Sequence, residues 1–177
     1  MTAEYEAIVY DLDGTLTRLR VDWDAVRVDV AGKLRARGIE VEDASLWDLF
    51  EQAQQEPSGR VVEETISEYE REGARRSDRL PLADELPQDV PVGVCSLNCE
   101  AACRIALEMH GLDHYVQTIV GRDTVPTYKP DPEPLLRAAQ SLGVSPTETL
   151  FIGDSERDAI TAERAGVSFE YVSDRLG

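Results

Sequence analysis

Residues 7–14 read Ala-Ile-Val-Tyr-Asp-Leu-Asp-Gly, an apolar strand-like segment that meets two carboxylates with no turn between. Few folds accept that order. Alternation along an extended backbone puts Asp11 and Asp13 on one side, where like charges repel unless a cation or a shared proton intervenes. Gly14 lets the chain bend sharply and approach a ligand closely. Taken alone, the stretch also fits an Asp-Gly turn that follows a strand. The far end of the chain repeats the theme: Thr149-Leu-Phe-Ile152 reads as a second buried strand and runs into Gly153-Asp154-Ser155-Glu156-Arg157-Asp158. Ser155-x-x-Asp158 has the form of a capping box, which accounts for Asp158 as part of a helix start. It does not account for Asp154, beside a glycine at the carboxyl end of a strand, where open α/β sheets place their ligands. Two strands each ending in carboxylates suggest a hard cation such as Mg²⁺, which takes oxygen ligands and often bridges to substrate phosphate.

Two further pieces lie between these ends. Val92-Gly-Val-Cys95 is an apolar strand that ends in Ser96, a hydroxyl donor. Lys129 sits in Tyr-Lys-Pro-Asp-Pro-Glu-Pro (128–134), just before a helical pattern. Of 18 basic residues only Lys33 and Lys129 are lysine, so arginine does nearly all the ordinary surface work. A lysine ammonium is a compact point charge that suits a phosphate oxygen in a site too tight for a planar fork.

In this order and spacing the four pieces resemble the haloacid dehalogenase superfamily of phosphohydrolases, and within it the phosphoglycolate phosphatase-like branch. Asp11-x-Asp13-Gly14-Thr15 matches the first motif, Ser96 the second, Lys129-Pro130 the third, and Gly153-Asp154-Ser155-x-x-Asp158 the fourth. The branch usually follows its second-motif hydroxyl with Asn, whereas Leu97 stands here and Asn98 comes next. The resemblance implies a doubly wound α/β fold with a five-stranded parallel sheet of order 5-4-1-2-3 and an inserted small helical cap. It also implies Asp11 as nucleophile, Asp13 as general acid and base, and Ser96 and Lys129 as phosphate ligands. Mg²⁺ is then held by Asp11, Asp13 and Asp154, with Asp158 behind them through water or Lys129. The expected substrate is a small phosphorylated metabolite, either phosphoglycolate-like or a sugar phosphate. A sugar phosphomutase shares every one of these residues, and a catalytically quiet binding protein is the third alternative.

The pattern of elements fits that frame. Strands read at 6–10, 91–95, 116–120, 149–152 and 167–172, and helices at 99–110, 132–142 and 156–165, with Gly111, Gly143 and Gly166 just past the helices as C-terminal glycines. Successive strand–helix–strand units predict a parallel sheet with right-handed crossovers. Residues 18–85 break the alternation and read as helix. Trp23, Val26, Val30 and Leu34 form one stripe, Leu46, Trp47, Leu49, Phe50 and Ala53 a second, and Val62, Ile66 and Tyr69 a third. The expected division is therefore a core of 1–17 and 86–177 with a helical cap at 18–85. Cys95, Cys99 and Cys103 lack the paired spacing of a structural zinc site, and their odd number argues against a disulfide framework; they read as buried, reduced thiols.

A chain of 177 residues with 42% hydrophobic content can bury a sizeable core. No apolar run approaches the ~20 residues of a membrane span, and no basic-then-apolar leader opens the chain, so a cytoplasmic protein is expected, monomer or homodimer. A formal charge of −17 repels nucleic acid and anionic membranes, which leaves neither as an expected partner. Acidity spread along the whole chain with lysine nearly absent resembles proteins of halophiles that accumulate salt. With 35 acidic against 18 basic residues, surface carboxylates feel one another below ~0.1 M salt and penalise the compact state. Raising KCl toward molar levels should therefore raise the melting temperature gradually, without saturation. A melting curve unchanged between dilute buffer and 2 M KCl would exclude a halophilic role for the acidic surface.

Overall fold

A computed structural model describes residues 4–41, 43–54 and 57–177. The chain opens with β1 (Ala7–Tyr10), a short β2 (Thr17–Arg18), three helices α1 (Trp23–Arg35), α2 (Leu46–Gln54) and α3 (Gly59–Arg75), and a short β3 (Asp78–Arg79). It continues with β4 (Val92–Cys95), α4 (Glu100–Met109), β5 (Thr118–Val120), α5 (Glu133–Leu142), β6 (Thr149–Gly153), α6 (Glu156–Ala165), β7 (Ser168–Tyr171) and α7 (Val172–Leu176).

Five of these strands form one parallel sheet in the order β5-β4-β1-β6-β7. Numbered by themselves along the chain, they run 3-2-1-4-5, the order expected from the sequence and read from the opposite edge. The apolar run of β1 explains its central place, because both of its faces are covered. Ile8 and Tyr10 point to one side, into a cluster with Ala102, Cys103, Ala106 and Leu107 of α4. Val9 points to the other, packing with Phe151 of β6, Leu135 and Ala138 of α5 and Ala162 of α6. A strand buried on both faces reads as a continuous apolar run, not an alternation. Gly143 and Gly166 adopt the left-handed conformation just after α5 and α6, at φ 72° and 69°, and stop the helices where the sequence places their ends.

The last strand stops short of its expected end. Tyr171 stays extended, and Val172 instead opens α7, which Arg175 ties down through ion pairs to Glu85 and Glu170 at 2.8 and 2.9 Å. The three cysteines are buried free thiols.

Helices α1, α2 and α3 bury a separate apolar cluster that includes Val26, Val30, Leu34, Leu49, Phe50, Val62 and Ile66. These are the stripes of the sequence except for Trp23, which the stripe of α1 includes but which is exposed at the start of that helix. Residues 1–3 of the expected core, and 42, 55 and 56 within the expected cap, lie outside the described residues. The chain enters and leaves the three helices through an antiparallel ribbon, with Thr17 paired to Arg79 and Arg18 to Asp78. Two two-residue strands, partly exposed, carry no apolar alternation, so no pattern announces them. Helix α3 lies along α4, and Phe50 of α2 meets Tyr128 edge to face at 5.5 Å. Both contacts bring the inserted helices over the carboxyl ends of the strands.

Candidate active site

The parallel sheet decides which residues meet. Asp11 follows β1, and its amide still donates to Ile152 of β6 at 2.9 Å. Ser96 follows β4 and donates its amide to Val120 of β5 at 2.9 Å. Asp154 follows β6 directly. Three neighbouring strands thus deliver a carboxylate, a hydroxyl and a second carboxylate to one edge. The cavity there, about 170 Å³, is lined by Asp11, Asp13, Ser96, Lys129 and Asp154, and also by Glu70 and Asn98. Among the described residues, a larger groove along α5 gathers no comparable chemistry.

Lys129 arrives from the loop between β5 and α5 and is almost fully buried. Its ammonium donates to Asp11 Oδ1 at 3.0 Å and to Asp158 Oδ1 at 2.5 Å, with the Phe151 ring beneath it at 5.4 Å. Burial by itself would strip the proton from this lysine, but Asp11 and Asp158 hold its pKa above the ordinary lysine value. The Asp11 carboxyl is pushed well above the usual carboxylate range, by burial first and then by Asp158 and Asp154, against the pull of Lys129. Asp13 is also raised, chiefly by burial, although the Leu19 amide that donates to it at 3.0 Å works the other way.

Two glycines make this crowding possible. Gly14 has φ +86°, and a Cβ there would lie 2.1 Å from Asp154 Oδ2. A Cβ on Gly153 would lie 2.4 Å from Asp158 Oδ2. Oxygens of Asp11, Asp154 and Asp158 consequently stand within 4.8 Å of one another. Of these three carboxylates Lys129 pairs with two, Asp11 and Asp158, and among the described residues the buried Asp158 Oδ2 has no hydrogen-bond partner. Such a set of hard oxygen donors with excess negative charge fits a small divalent cation. Asp13 takes no side-chain part in this cluster; its carboxylate turns instead to Leu19.

A second buried network lies behind Ser96. The Ser96 hydroxyl donates to Asn98 Oδ1 at 3.1 Å and accepts the Asn98 amide at 3.0 Å. Asn98 Nδ2 donates to Glu70 of α3 at 2.7 Å. Glu70 also pairs with Arg122 at 2.8 Å, and Arg122 reaches Glu63 at 2.7 Å, Ser67 at 3.1 Å and the Leu97 carbonyl at 2.9 Å. Burial is the largest influence on Glu70 and raises it, whereas Arg122 and Asn98 lower it. Sequence reasoning missed Glu70 and Arg122. Both sit among many exposed charges of the same kind, and only the helix-to-loop contact singles them out. Asn98 stood in plain view beside the second motif, displaced by one residue.

The profile of the haloacid dehalogenase-like hydrolases matches residues 8–172. The chain belongs to this family. Relatives of this haloacid dehalogenase-like hydrolase include a phosphoglycolate phosphatase from Rhodospirillum rubrum, 42% identical over 78 residues, which are 44% of this chain and 32% of that protein. The chain therefore matches about a third of the length of that relative. The pyrophosphatase PpaX of Oceanobacillus iheyensis is 26% identical over 90% of this chain and 79% of its own. Among solved structures, a HAD-superfamily hydrolase of subfamily IA, variant 1, from Geobacter sulfurreducens is 26% identical with a TM-score of 0.60, covering 93% of this chain and 88% of that one. CbbY from Rhodobacter sphaeroides, solved with phosphate, gives a TM-score of 0.70 at 17% identity over 94% and 85% of the two chains, a likeness of fold. In this hydrolase the four motifs of the sequence converge on one cavity, with Asp158 buried behind it against Lys129.

The tight fit at Gly153 yields a stability test. Gly153→Ala should cost about 1–3 kcal/mol, as overpacking of buried sites does, because Asp158 has no free direction in which to retreat. Urea unfolding checks it, and a variant as stable as the parent would disprove the crowding.

Proposed function

We propose that the protein is a Mg²⁺-dependent phosphatase that hydrolyses a small phosphorylated metabolite through an aspartyl-phosphate on Asp11. The observation that carries this reading is the Lys129 ammonium held between Asp11 and Asp158 in a cavity that also receives Ser96 and Asp154. A phosphoryl group needs a nucleophile at one side of phosphorus and positive charge or donors around its equatorial oxygens. Asp11 and Asp154, with the carbonyl oxygen of Asp13, would hold Mg²⁺, which supplies shielding of the phosphoryl charge.

The residues then divide the work. Lys129 works against the burial of Asp11 and attracts a phosphoryl oxygen, while the Ser96 hydroxyl turns from Asn98 to donate to another. An Asp11 oxygen attacks phosphorus, the bond from phosphorus to the ester oxygen breaks, and Asp13 gives that departing oxygen a proton. The raised pKa of Asp13 suits it to hold the proton beforehand. Asp13, now a carboxylate, takes a proton from the water that attacks phosphorus. The acyl-phosphate bond breaks, phosphate leaves, and Asp11 is restored as a carboxylate. Asp158 holds Lys129 in place and stays out of the bond changes.

Release of phosphate from p-nitrophenyl phosphate in the presence of Mg²⁺ tests the activity directly. Asp11→Asn should lower turnover at least about a thousandfold with an unchanged melting curve. Activity of more than a few per cent in that folded variant would remove Asp11 from the role of nucleophile.

Asp13→Asn separates the acid from the nucleophile. Its loss should be ~10²–10⁴-fold on esters with poor leaving groups and smaller on p-nitrophenyl phosphate, whose leaving group needs no proton. Equal losses on both kinds of ester would count against the acid role.

A further inference from the structure

The wall that the inserted helices give the cavity has a distinct composition. The inserted helices contribute Trp23, Trp47 and Glu70 to its lining, and no cation. Arg157, in the first turn of α6, contributes the second of the two cations that line the cavity. Lys129, the first, is committed to Asp11 and Asp158. Arg157 forms no ion pair among the described residues; its guanidinium lies over the Trp47 ring at 5.9 Å. Stacking on an indole fixes the plane of a guanidinium while leaving its donors free for a planar or tetrahedral anion. An uncommitted arginine beside four lining carboxylates, Asp11, Asp13, Glu70 and Asp154, adds positive charge where the chain otherwise repels anions.

We infer that Arg157, stacked on Trp47, binds a second anionic group on the leaving-group side of the substrate. The preferred substrates are then compact phosphate esters or anhydrides with a carboxylate or second phosphate a few bonds from the scissile oxygen. This rests on the phosphatase reading and narrows it. Arg157 lines the same cavity as Asp11, Ser96 and Lys129, so a compact substrate reaches both the reacting centre and the guanidinium. Arg157 is thereby a specificity residue supplied by α6, outside the inserted helices.

The test uses a matched pair, 2-phosphoglycolate and 2-hydroxyethyl phosphate, which differ by a carboxylate in place of a neutral CH₂OH. The wild type should favour the carboxylate ester. Arg157→Gln should reduce the ratio of the two kcat/KM values by ~10–100-fold, the range of a charge-assisted hydrogen bond converted to a rate ratio, and Arg157→Lys should fall between. A ratio gives the signature, since general damage to the fold lowers both terms alike. Inorganic pyrophosphate forms the other arm: a loss on it and none on 2-phosphoglycolate identifies the second group as phosphate, and the reverse as carboxylate. Both tryptophans of the chain line the cavity, so indole fluorescence reads binding without turnover. In Asp11→Asn, 2-phosphoglycolate or pyrophosphate should change the emission, and adding Arg157→Gln should weaken that binding by the same factor. A wild type that turns over p-nitrophenyl phosphate but shows no preference for either anionic substrate, or a ratio indifferent to Arg157, overturns this inference alone. Absence of phosphate release from every ester, with fluorescence binding intact, overturns the phosphatase reading and leaves the anion site standing.

Discussion

A single ammonium buried among carboxylates organises the molecule. Lys129 is held at 3.0 Å from Asp11 and 2.5 Å from Asp158, in surroundings where an unpaired charge is strongly disfavoured. For that contact to exist, β1, β6, the start of α6 and the loop after β5 must meet with little tolerance. The parallel sheet provides the rigidity, because β1 is hydrogen-bonded on both sides and packed on both faces. Gly14 and Gly153 provide the space. The arrangement adds little to stability, since three carboxylates crowd together and only two of them meet the ammonium, and its cost is offset by the two apolar layers that enclose the sheet.

Burial also sorts the other ion pairs by consequence. Arg20–Asp78 and Arg60–Glu64 are exposed, and pairs of that kind contribute about 0–1 kcal/mol. Arg122 and Glu70 have side chains 1% exposed, and removing one partner of such a pair typically costs 3–5 kcal/mol. Their contact holds α3 to the loops after β4 and β5. Through Asn98 it also fixes the resting direction of the Ser96 hydroxyl. The inserted helices are therefore joined to the chemistry by hydrogen bonds as well as by apolar contact.

The legible parts of the chain were those whose chemistry is local. Val-Tyr-Asp-Leu-Asp-Gly and Phe-Ile-Gly-Asp each carry strand, turn and carboxylate within a few residues, so the meeting of Asp11 with Asp154 at one sheet edge could be read, while the strand order came from the family resemblance. The apolar stripes of α1, α2 and α3 followed helical periodicity and became one cluster. What stayed hidden depends on distance along the chain. Glu70 and Arg122 are 52 residues apart and look like two more surface charges in a chain rich in them. The ribbon of Thr17–Arg18 and Asp78–Arg79 joins segments 60 residues apart with no pattern of its own. Val172 continued an apolar run and read as strand, yet the anchorage of Arg175 to Glu85 and Glu170 draws it into a helix.

That ribbon makes the helical insertion interchangeable in principle. Its two ends leave the sheet as paired neighbours, Arg18 opposite Asp78, so a tight two-residue turn could close the gap if residues 19–77 were cut out. A foreign insertion of any length would meet the same pair of ends, since both lie side by side before the helices begin. The graft would need to reproduce what crosses to the rest of the fold, including the acids Glu63 and Glu70 that receive Arg122, the aromatic edge against Tyr128 and the face of α3 along α4. Replacing that segment would change the wall of Trp23, Trp47 and Glu70 that it lends to the cavity, while Arg157 and the strands that set the distances around Lys129 are left untouched.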